Sequence, residues 1–316
     1  MNDKDLSAAQ YAQFIDDQAI DWQNVRRIEF LFYQRFHYEY PGPIHNLKQR
    51  LIVIPAENYG TQQVRDHYLA VNPSPVATRQ TADRFGNRIL EVEVSQVNHS
   101  ISFELLMSIE SEAHFTHPTA IDGDSIDYLL QYTPLTMPDS HIYAVVHQLQ
   151  EDATSPHDLA QRINDWVYGA MRYQSGVTTV DTTAAEALAL GQGMCQDYAH
   201  LMLSICRAAH LPAQYVSGHL LGEGGSHAWV EVFLPTEHGL ERFAFDPTNN
   251  RHSHLGYITV AVGRDYRDVS PTSGSFIAPY GGQLTCSKRA GMTLIEYSNG
   301  VTLRGSITSK KPNRPL

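Results

Sequence analysis

The segment from Gly193 to Pro212 constrains the fold more than any other part of the sequence. It reads GMCQDYAHLMLSICRAAHLP, and its apolar residues recur at helical spacing at Tyr198, Leu201, Met202, Ile205 and Ala209. The pattern predicts a largely buried helix with Cys195 in its first turn. Unpaired backbone N–H groups and the positive end of the helix dipole lie there and favour the thiolate, the nucleophilic form of cysteine. A single cysteine is more often a small buried hydrophobe, so this segment alone leaves both roles open.

Two later segments each place a titratable side chain at one end of a predicted strand. The segment SHAWVEVF (226–233) follows a glycine-rich stretch and has His227 as its second residue. The segment FAFDPTN (243–249) carries Asp246. A thiol, a base and a carboxylate that orients the base are the three parts of an activated nucleophile. The sequence therefore suggests Cys195, His227 and Asp246 as a catalytic triad. The alternatives are a hydrogen-bonded core histidine and an aspartate that caps the turn at Pro247.

These motifs resemble those of the bacterial transglutaminase-like proteins, which belong to the papain-like transglutaminase-core superfamily and are often described as cysteine proteases. The matching stretches are GMCQDYAHL (193–201), LPAQYVSG (211–218), SHAWVEV (226–232) and FDPTN (245–249). The resemblance implies that Cys195, His227 and Asp246 form the triad. It also implies that the nucleophile helix packs on a sheet that presents the base and the acid.

The spacing of apolar residues along the sequence divides the chain into predicted regions. Residues 1–24 are predicted to form an N-terminal arm or helix. Two-residue alternation from Arg26 onward predicts strands, and residues 25–115 are read as an antiparallel β-sandwich that resembles the N-terminal β-domain of the same family. Residues 116–137 are read as a linker. Residues 138–316 are read as the catalytic domain, with helices first, then an antiparallel sheet, then C-terminal strands, so the predicted fold class is α+β.

Composition narrows the functional classes. A net charge of −11 argues against a nucleic-acid-binding protein. Three cysteines in 316 residues cannot form an even disulfide framework and are typical of cytosolic usage. The sequence shows neither an apolar leader nor a run long enough to span a membrane, so a cytoplasmic protein without a membrane partner is the expectation.

The remaining site residues are less specific. The backbone N–H of Cys195 is the first candidate for an oxyanion hole, and the side-chain candidates are Gln192, Gln196 and Tyr173. Trp229 is predicted to form a wall of the site. Papain-like enzymes have a glutamine six residues before the cysteine, but Ala189 occupies that position. A papain-style oxyanion hole is therefore in doubt.

No metal or other cofactor is predicted. His252 and His254 lie two residues apart, but no third ligand follows at a recognisable spacing. They are therefore read as part of a solvated loop.

The predicted chemistry is acyl transfer through a thioester on Cys195. Water as the second nucleophile gives a cysteine peptidase or amidase, and an amine gives a transglutaminase. Hydrolysis is favoured because water is always available, and the partner is then a peptide or amide-containing substrate. A non-catalytic binding module that keeps the fold is the alternative from another class. The sequence leaves the oligomeric state and the substrate open.

Overall fold

The structure, a computed structural model, describes residues 1, 6, 12–16, 20–113 and 123–305. The chain divides into two compact units. The β unit comprises Met1–Pro118, Leu220–Gly225 and Pro271–Leu316, and the mixed unit comprises Thr119–His219 and Ser226–Ser270. Most of the arm or helix predicted for residues 1–24 lies outside the described residues. Within the described ranges, no helix is long and apolar enough to cross a membrane.

The described elements follow one another along the chain. The strands are β1 (Val25–Glu39), β2 (Ile44–Leu51), β3 (Asn58–Tyr59), β4 (Gln62–Asn72), β5 (Ala77–Ala82), β6 (Arg88–Val97), β7 (Ser100–Glu112), β8 (Arg172–Tyr173), β9 (Gln192–Gly193), β10 (Ala213–Leu220), β11 (His227–Thr236), β12 (Gly239–Asp246), β13 (Arg251–His252), β14 (Tyr257–Gly263), β15 (Thr272–Ile277), β16 (Gln283–Tyr297) and β17 (Thr302–Arg304). The α-helices are α1 (Gly123–Leu130), α2 (Ser140–Glu151), α3 (Pro156–Ala170), α4 (Ala184–Leu190), α5 (Cys195–Ala208) and α6 (Tyr266–Val269).

The β unit contains two antiparallel sheets. One has the strand order β17-β16-β1-β7-β4-β3, and the other has the order β15-β2-β6-β5. Alternate residues of β1 point into the core, and Ile28, Phe30 and Phe32 are fully buried. The sheets touch where the ring of Tyr40 meets that of Phe276 edge-on, 5.2 Å between centroids. Two packed antiparallel sheets confirm the predicted sandwich class of fold.

The C-terminal strands differ from the sequence expectation, which placed them at the end of the catalytic domain. β16 pairs with β1 along almost its whole length, from Tyr297 opposite Val25 to Gln283 opposite Glu39. β15 pairs with β2. Residues from Pro271 onward therefore belong to the β unit. Local pattern predicted strands within residues 283–303, where β16 and β17 lie, and it did not predict β15. It carries no information about a partner more than 200 residues away.

The mixed unit contains a five-stranded sheet in the order β13-β12-β11-β10-β14, and α5 packs against β11. The predicted helix starts are confirmed. Ser155 caps α3 with Pro156 in its first turn, and Thr183 forms a capping box with Glu186 at α4. Gly191 ends α4 in the left-handed region, with φ 62°. The predicted linker 116–137 is wrong in part, because Gly123–Leu130 forms α1.

Candidate active site

Cys195 is the first residue of α5, as the sequence predicts. The helix begins there because Asp197 binds back to its start: the carboxylate accepts a hydrogen bond from the backbone N–H of Met194 at 2.7 Å. Cys195 is only partly buried. Gly193 is required two residues earlier, because a Cβ there would lie 2.5 Å from the Asp197 carboxylate. The start of α5 is thus held by a hydrogen bond from its own first turn, while Cys195 stays partly exposed.

Asp197 itself is a buried carboxylate, with 2% of its surface exposed. Its Oδ2 also accepts a hydrogen bond from the Thr178 hydroxyl at 2.7 Å. Burial raises the pKa of the carboxyl, and the hydrogen bonds from Thr178 and Met194 oppose that rise. Asp197 therefore joins the loop around Thr178 to the first turn of α5.

His227 and Asp246 are brought into direct contact. His227 opens β11 and Asp246 ends β12, and Nε2 of the imidazole lies 2.8 Å from Oδ2 of the carboxylate. Both side chains are buried. Because Nε2 donates to Asp246, the nitrogen that can accept a proton from a thiol is Nδ1.

Cys195 lies in the same unit as His227, on the helix that packs against β11. Burial raises the pKa of Tyr215 on β10 well above the ordinary value, and the titratable side chains of Cys195, Tyr266, Asp197 and Asp265 raise it further. Three residues further along β10, Gly218 is the register partner of His227. The packing of α5 on β11 therefore places the thiol and the imidazole on neighbouring elements of one unit.

Asp246 is held by more partners than the sequence indicated. Its Oδ2 also accepts from the Tyr257 hydroxyl at 2.6 Å and from the Asn249 amide at 2.8 Å. Its Oδ1 accepts from the backbone N–H of Thr248 at 3.0 Å and of Asn249 at 3.2 Å. Burial raises the pKa of this carboxyl, but His227, Asn249 and Tyr257 lower it, and the net shift is downward. Asp246 thus stays ionised beside the imidazole.

Sequence reasoning missed Tyr257, Asn249 and Arg251. Arg251 donates to the Tyr257 hydroxyl at 2.8 Å, which directs the tyrosine proton toward Asp246. Asn249 could have been found, because it ends the matching stretch FDPTN. No sequence signal marks Tyr257, because β14 is not a neighbour of β12 in the sheet and only the tertiary structure brings its hydroxyl to Asp246.

Trp229 packs behind His227. Its ring stacks on the imidazole at 6.1 Å between centroids with an interplanar angle of 26°, and it meets Tyr257 edge-on at 5.2 Å. Only 1% of its surface is exposed. Gly218 makes room for it, since a Cβ there would lie 2.5 Å from the indole. Trp229 therefore supports the imidazole from inside the unit rather than forming a solvent-facing wall.

The three side-chain candidates for the oxyanion hole lie around the start of α5. Tyr173 and Gln192 are on β8 and β9, where Tyr173 is the register partner of Gly193. The amide nitrogen of Gln196 donates to the Val180 carbonyl at 3.2 Å. All three are close to Cys195 along the chain or through this pairing, and their role at an oxyanion stays a prediction.

Two regions of the chain match known families. Residues 33–110 match the bacterial transglutaminase-like N-terminal region. Residues 143–247, which include Cys195, His227 and Asp246, match the transglutaminase-like superfamily. The chain contains a transglutaminase-like core and a bacterial transglutaminase-like N-terminal region.

Relatives of this transglutaminase-like protein are bacterial. An uncharacterized protein of Mycobacterium tuberculosis is 28% identical over 271 residues, which cover 76% of this chain and 85% of the relative. An uncharacterized protein of Mycobacterium leprae is 33% identical over 163 residues, which cover 48% of this chain and 56% of the relative. The crystal structure of "a Putative Cysteine Protease from Cytophaga hutchinsonii" has a TM-score of 0.71 at 20% identity, and the match covers 89% of this chain and 98% of that one. The last comparison shows a shared fold.

A buried clamp in the transglutaminase-like protein fixes the loop that joins β14 to α6. Nε2 of His200, in the middle of α5, accepts a hydrogen bond from the backbone N–H of Tyr266 at 3.1 Å. About two helical turns further along, Arg207 donates to the Arg264 carbonyl at 2.6 Å. Both side chains are buried. α5 therefore helps to set the position of residues 264–266.

Acid is expected to destabilise the mixed unit through His200. Burial, together with the neighbouring Arg207 and Arg267, lowers the pKa of this imidazole to about 4, although Asp265 opposes the shift. In the unfolded chain a histidine titrates near ~6.5. Between these values the unfolded chain binds the proton and the folded chain does not, so unfolding becomes more favourable as the pH falls through this window. The loss in free energy of unfolding is roughly 2 kcal/mol at pH 5.

The measurement is urea unfolding at pH 7.5 and pH 5, followed by helical circular dichroism, in the wild type and in His200→Gln. We expect the variant to lose about 2 kcal/mol less between the two conditions. His254, whose pKa burial also lowers to about 4, contributes to both proteins equally. The exposed His252 provides the control variant His252→Gln. An identical pH dependence in all three proteins would contradict the assignment to His200.

Proposed function

We propose that the protein is a thiol acyl-transfer enzyme that hydrolyses an amide bond through a thioester on Cys195. The observation that carries the proposal is the buried 2.8 Å contact between His227 Nε2 and Asp246 Oδ2. It directs the other ring nitrogen of the base to the proton of a nucleophile. Cys195 is the proposed nucleophile because it begins α5, the helix that packs on the strand of His227.

In the proposed reaction, Nδ1 of His227 takes the thiol proton and the Cys195 sulfur attacks the amide carbonyl carbon. The C–N bond of the tetrahedral intermediate breaks, and the imidazolium gives its proton to the departing amine. Water then attacks the thioester while His227 accepts its proton, the C–S bond breaks, and the sulfur recovers the proton from the ring. Asp246 keeps Nε2 protonated and stabilises the imidazolium in both halves.

The first test measures whether Cys195 is activated by His227. The background protein carries Cys286→Ser, because the exposed Cys286 would also react. We expect iodoacetamide to alkylate Cys195 at pH 6 at least about 10-fold faster than free cysteine, since the thiolate is the reacting form. His227→Ala should remove most of this advantage, whereas the matched control His252→Ala should keep it.

A second test distinguishes hydrolysis of the acyl-enzyme from transfer of the acyl group to an amine. The protein is acylated with p-nitrophenyl acetate, and release of the acetyl adduct is followed by intact mass with and without glycinamide. Hydrolysis predicts release at the same rate in both, with acetate as the product. Acetylglycinamide as the main product would assign a transglutaminase-like transfer instead. A Cys195 no more reactive than free cysteine would overturn the enzyme proposal and favour a binding module.

A further inference from the structure

Exposed apolar side chains of the mixed unit concentrate beside Cys195. Among the described residues of this unit, nine large hydrophobic residues are exposed, and six of them fall between residues 168 and 194. Four of these surround the start of α5, and we call them the apolar collar: Tyr173 (53% exposed), Val177 (42%), Val180 (50%) and Met194 (38%). Single exposed apolar residues are ordinary, but a contiguous group next to a reactive side chain marks a binding surface.

The collar is held in place by its backbone and polar neighbours. β8 and β9 pair in parallel, so that Tyr173 lies opposite Gly193, and the N–H of Gln174 donates to the Gly193 carbonyl at 2.9 Å. Further along the same loop, Thr178 binds Asp197 at 2.7 Å and the Val180 carbonyl accepts from Gln196 at 3.2 Å. The loop is therefore attached to residues 193–197 at three points. Its apolar side chains stay exposed while its polar groups are satisfied.

The acidic side chains near the collar are already buried or paired. Asp197, the acid nearest Cys195 in sequence, is 2% exposed and its Oδ2 accepts hydrogen bonds from Thr178 and Met194, so it offers no exposed carboxylate to a ligand. Asp181 at the end of the loop is paired with Arg267 at 2.8 Å. A surface of two valines, a methionine and a tyrosine binds uncharged apolar groups and disfavours charged ones, which would have to lose their hydration there.

We propose that the apolar collar is a specificity subsite for the acyl donor, and that it selects an uncharged aromatic or aliphatic side chain next to the carbonyl that Cys195 attacks. This inference rests on the proposed function. Tyr173 and Met194 both lie next to Cys195. Tyr173 is the register partner of Gly193 in the β8–β9 pairing, and Met194 directly precedes Cys195 in the chain. The substrate class is then a peptide with a bulky apolar residue on the acyl side of the scissile amide.

The test uses three electrophiles that differ only in this side chain: the chloromethyl ketones of acetyl-phenylalanine, acetyl-glycine and acetyl-aspartate. Their alkylation rates at Cys195 are measured in the Cys286→Ser background and each is divided by the rate with iodoacetamide. We expect the phenylalanyl probe to react at least about 10-fold faster than the glycyl or aspartyl probe, the selectivity typical of an apolar pocket. Comparable rates for all three, or a preference for aspartyl, would overturn the subsite.

Matched variants locate the selectivity. Tyr173→Ser and Met194→Gln should each lower the phenylalanyl-to-glycyl ratio by about 3-fold or more. Tyr143→Ser and Met137→Gln change similarly exposed residues of the same types elsewhere in the mixed unit and should leave the ratio unchanged. A ratio that survives both collar variants, or falls equally in the controls, would contradict the proposal.

The iodoacetamide rate separates the two claims. If Cys195 is no more reactive than free cysteine, the proposed function fails. If Cys195 is activated but does not discriminate among the ketones, the function stands and the collar is not its subsite.

Discussion

Replacing Arg207 by methionine is expected to destabilise the mixed unit by about 3–5 kcal/mol. The guanidinium is 2% exposed and is the donor to four acceptors of different elements: the carbonyls of Leu129, Ala213 and Arg264, at 2.9, 3.3 and 2.6 Å, and the Thr136 hydroxyl at 2.6 Å. Methionine is of similar length but removes all four hydrogen bonds. The Thr136 hydroxyl still accepts a hydrogen bond from the backbone N–H of Thr133 at 3.1 Å. A buried acceptor that is left without a donor costs roughly 1–3 kcal/mol before relaxation.

The measurement is urea unfolding followed by helical circular dichroism. This signal reports on the mixed unit, because all the helices α1 to α6 of the described ranges lie in it. The control is Arg267→Met, which removes an exposed arginine whose partner is Asp181 and should cost less than about 1 kcal/mol. Equal midpoints for the two variants would show that the buried clamp does not hold the unit together.

In the Cys286→Ser background, replacing Cys195 by alanine is expected to reduce acylation by p-nitrophenyl acetate by at least about 10³-fold and to leave the unfolding midpoint nearly unchanged. The thiol is the nucleophile in the proposed mechanism, and its partly exposed position means that little packing is lost with it. Acylation that persisted in Cys195→Ala would show that another group is the nucleophile. A variant that lost acylation only because it unfolded would remove the support for Cys195.

Cys206→Ser is the matched control for Cys195→Ala, and we expect the reverse result. Cys206 is fully buried on the same helix, and burial raises the pKa of its thiol to about 12, so this thiol stays protonated. Serine places a hydroxyl among apolar neighbours, and we expect a loss of about 1–3 kcal/mol in stability with acylation retained. A stable but inactive Cys206→Ser protein would mean that the roles of the two cysteines are reversed.

Local pattern was sufficient for much of the architecture. The two-residue alternation of β1, the Ser155 cap of α3 and the capping box of Thr183 are each decided within one element, and the structure confirms them. The same holds for the helix that begins at Cys195. Such features depend on the polarity period and on backbone N–H groups that neighbouring residues satisfy, so a sequence read alone can find them.

The candidate site was predictable as a set of residues but not as an arrangement. Cys195, His227 and Asp246 could be named because each ends or begins an element that local pattern marks. The hydrogen bond from Tyr257 to Asp246 could not be predicted, since β14 is not a neighbour of β12 in the sheet, and neither could the hydrogen bond from Arg251 to the tyrosine hydroxyl. Trp229 shares a strand face with His227, which suggested a wall of the site, and the close approach allowed by Gly218 packs its ring against the imidazole.

What the sequence by itself determined is the type and boundaries of most elements and the three residues of the candidate triad, because these follow from short-range spacing and capping. Only the tertiary structure decided which strands share a sheet. β16 pairs with β1 although more than 200 residues separate them, and α1 occupies a stretch that polarity alone marked as a linker. The tertiary structure also decided which buried polar groups form hydrogen bonds with Arg207 and His200. The physical reason is that strand pairing and buried hydrogen bonds join groups remote in sequence, whereas a polarity period describes one element at a time.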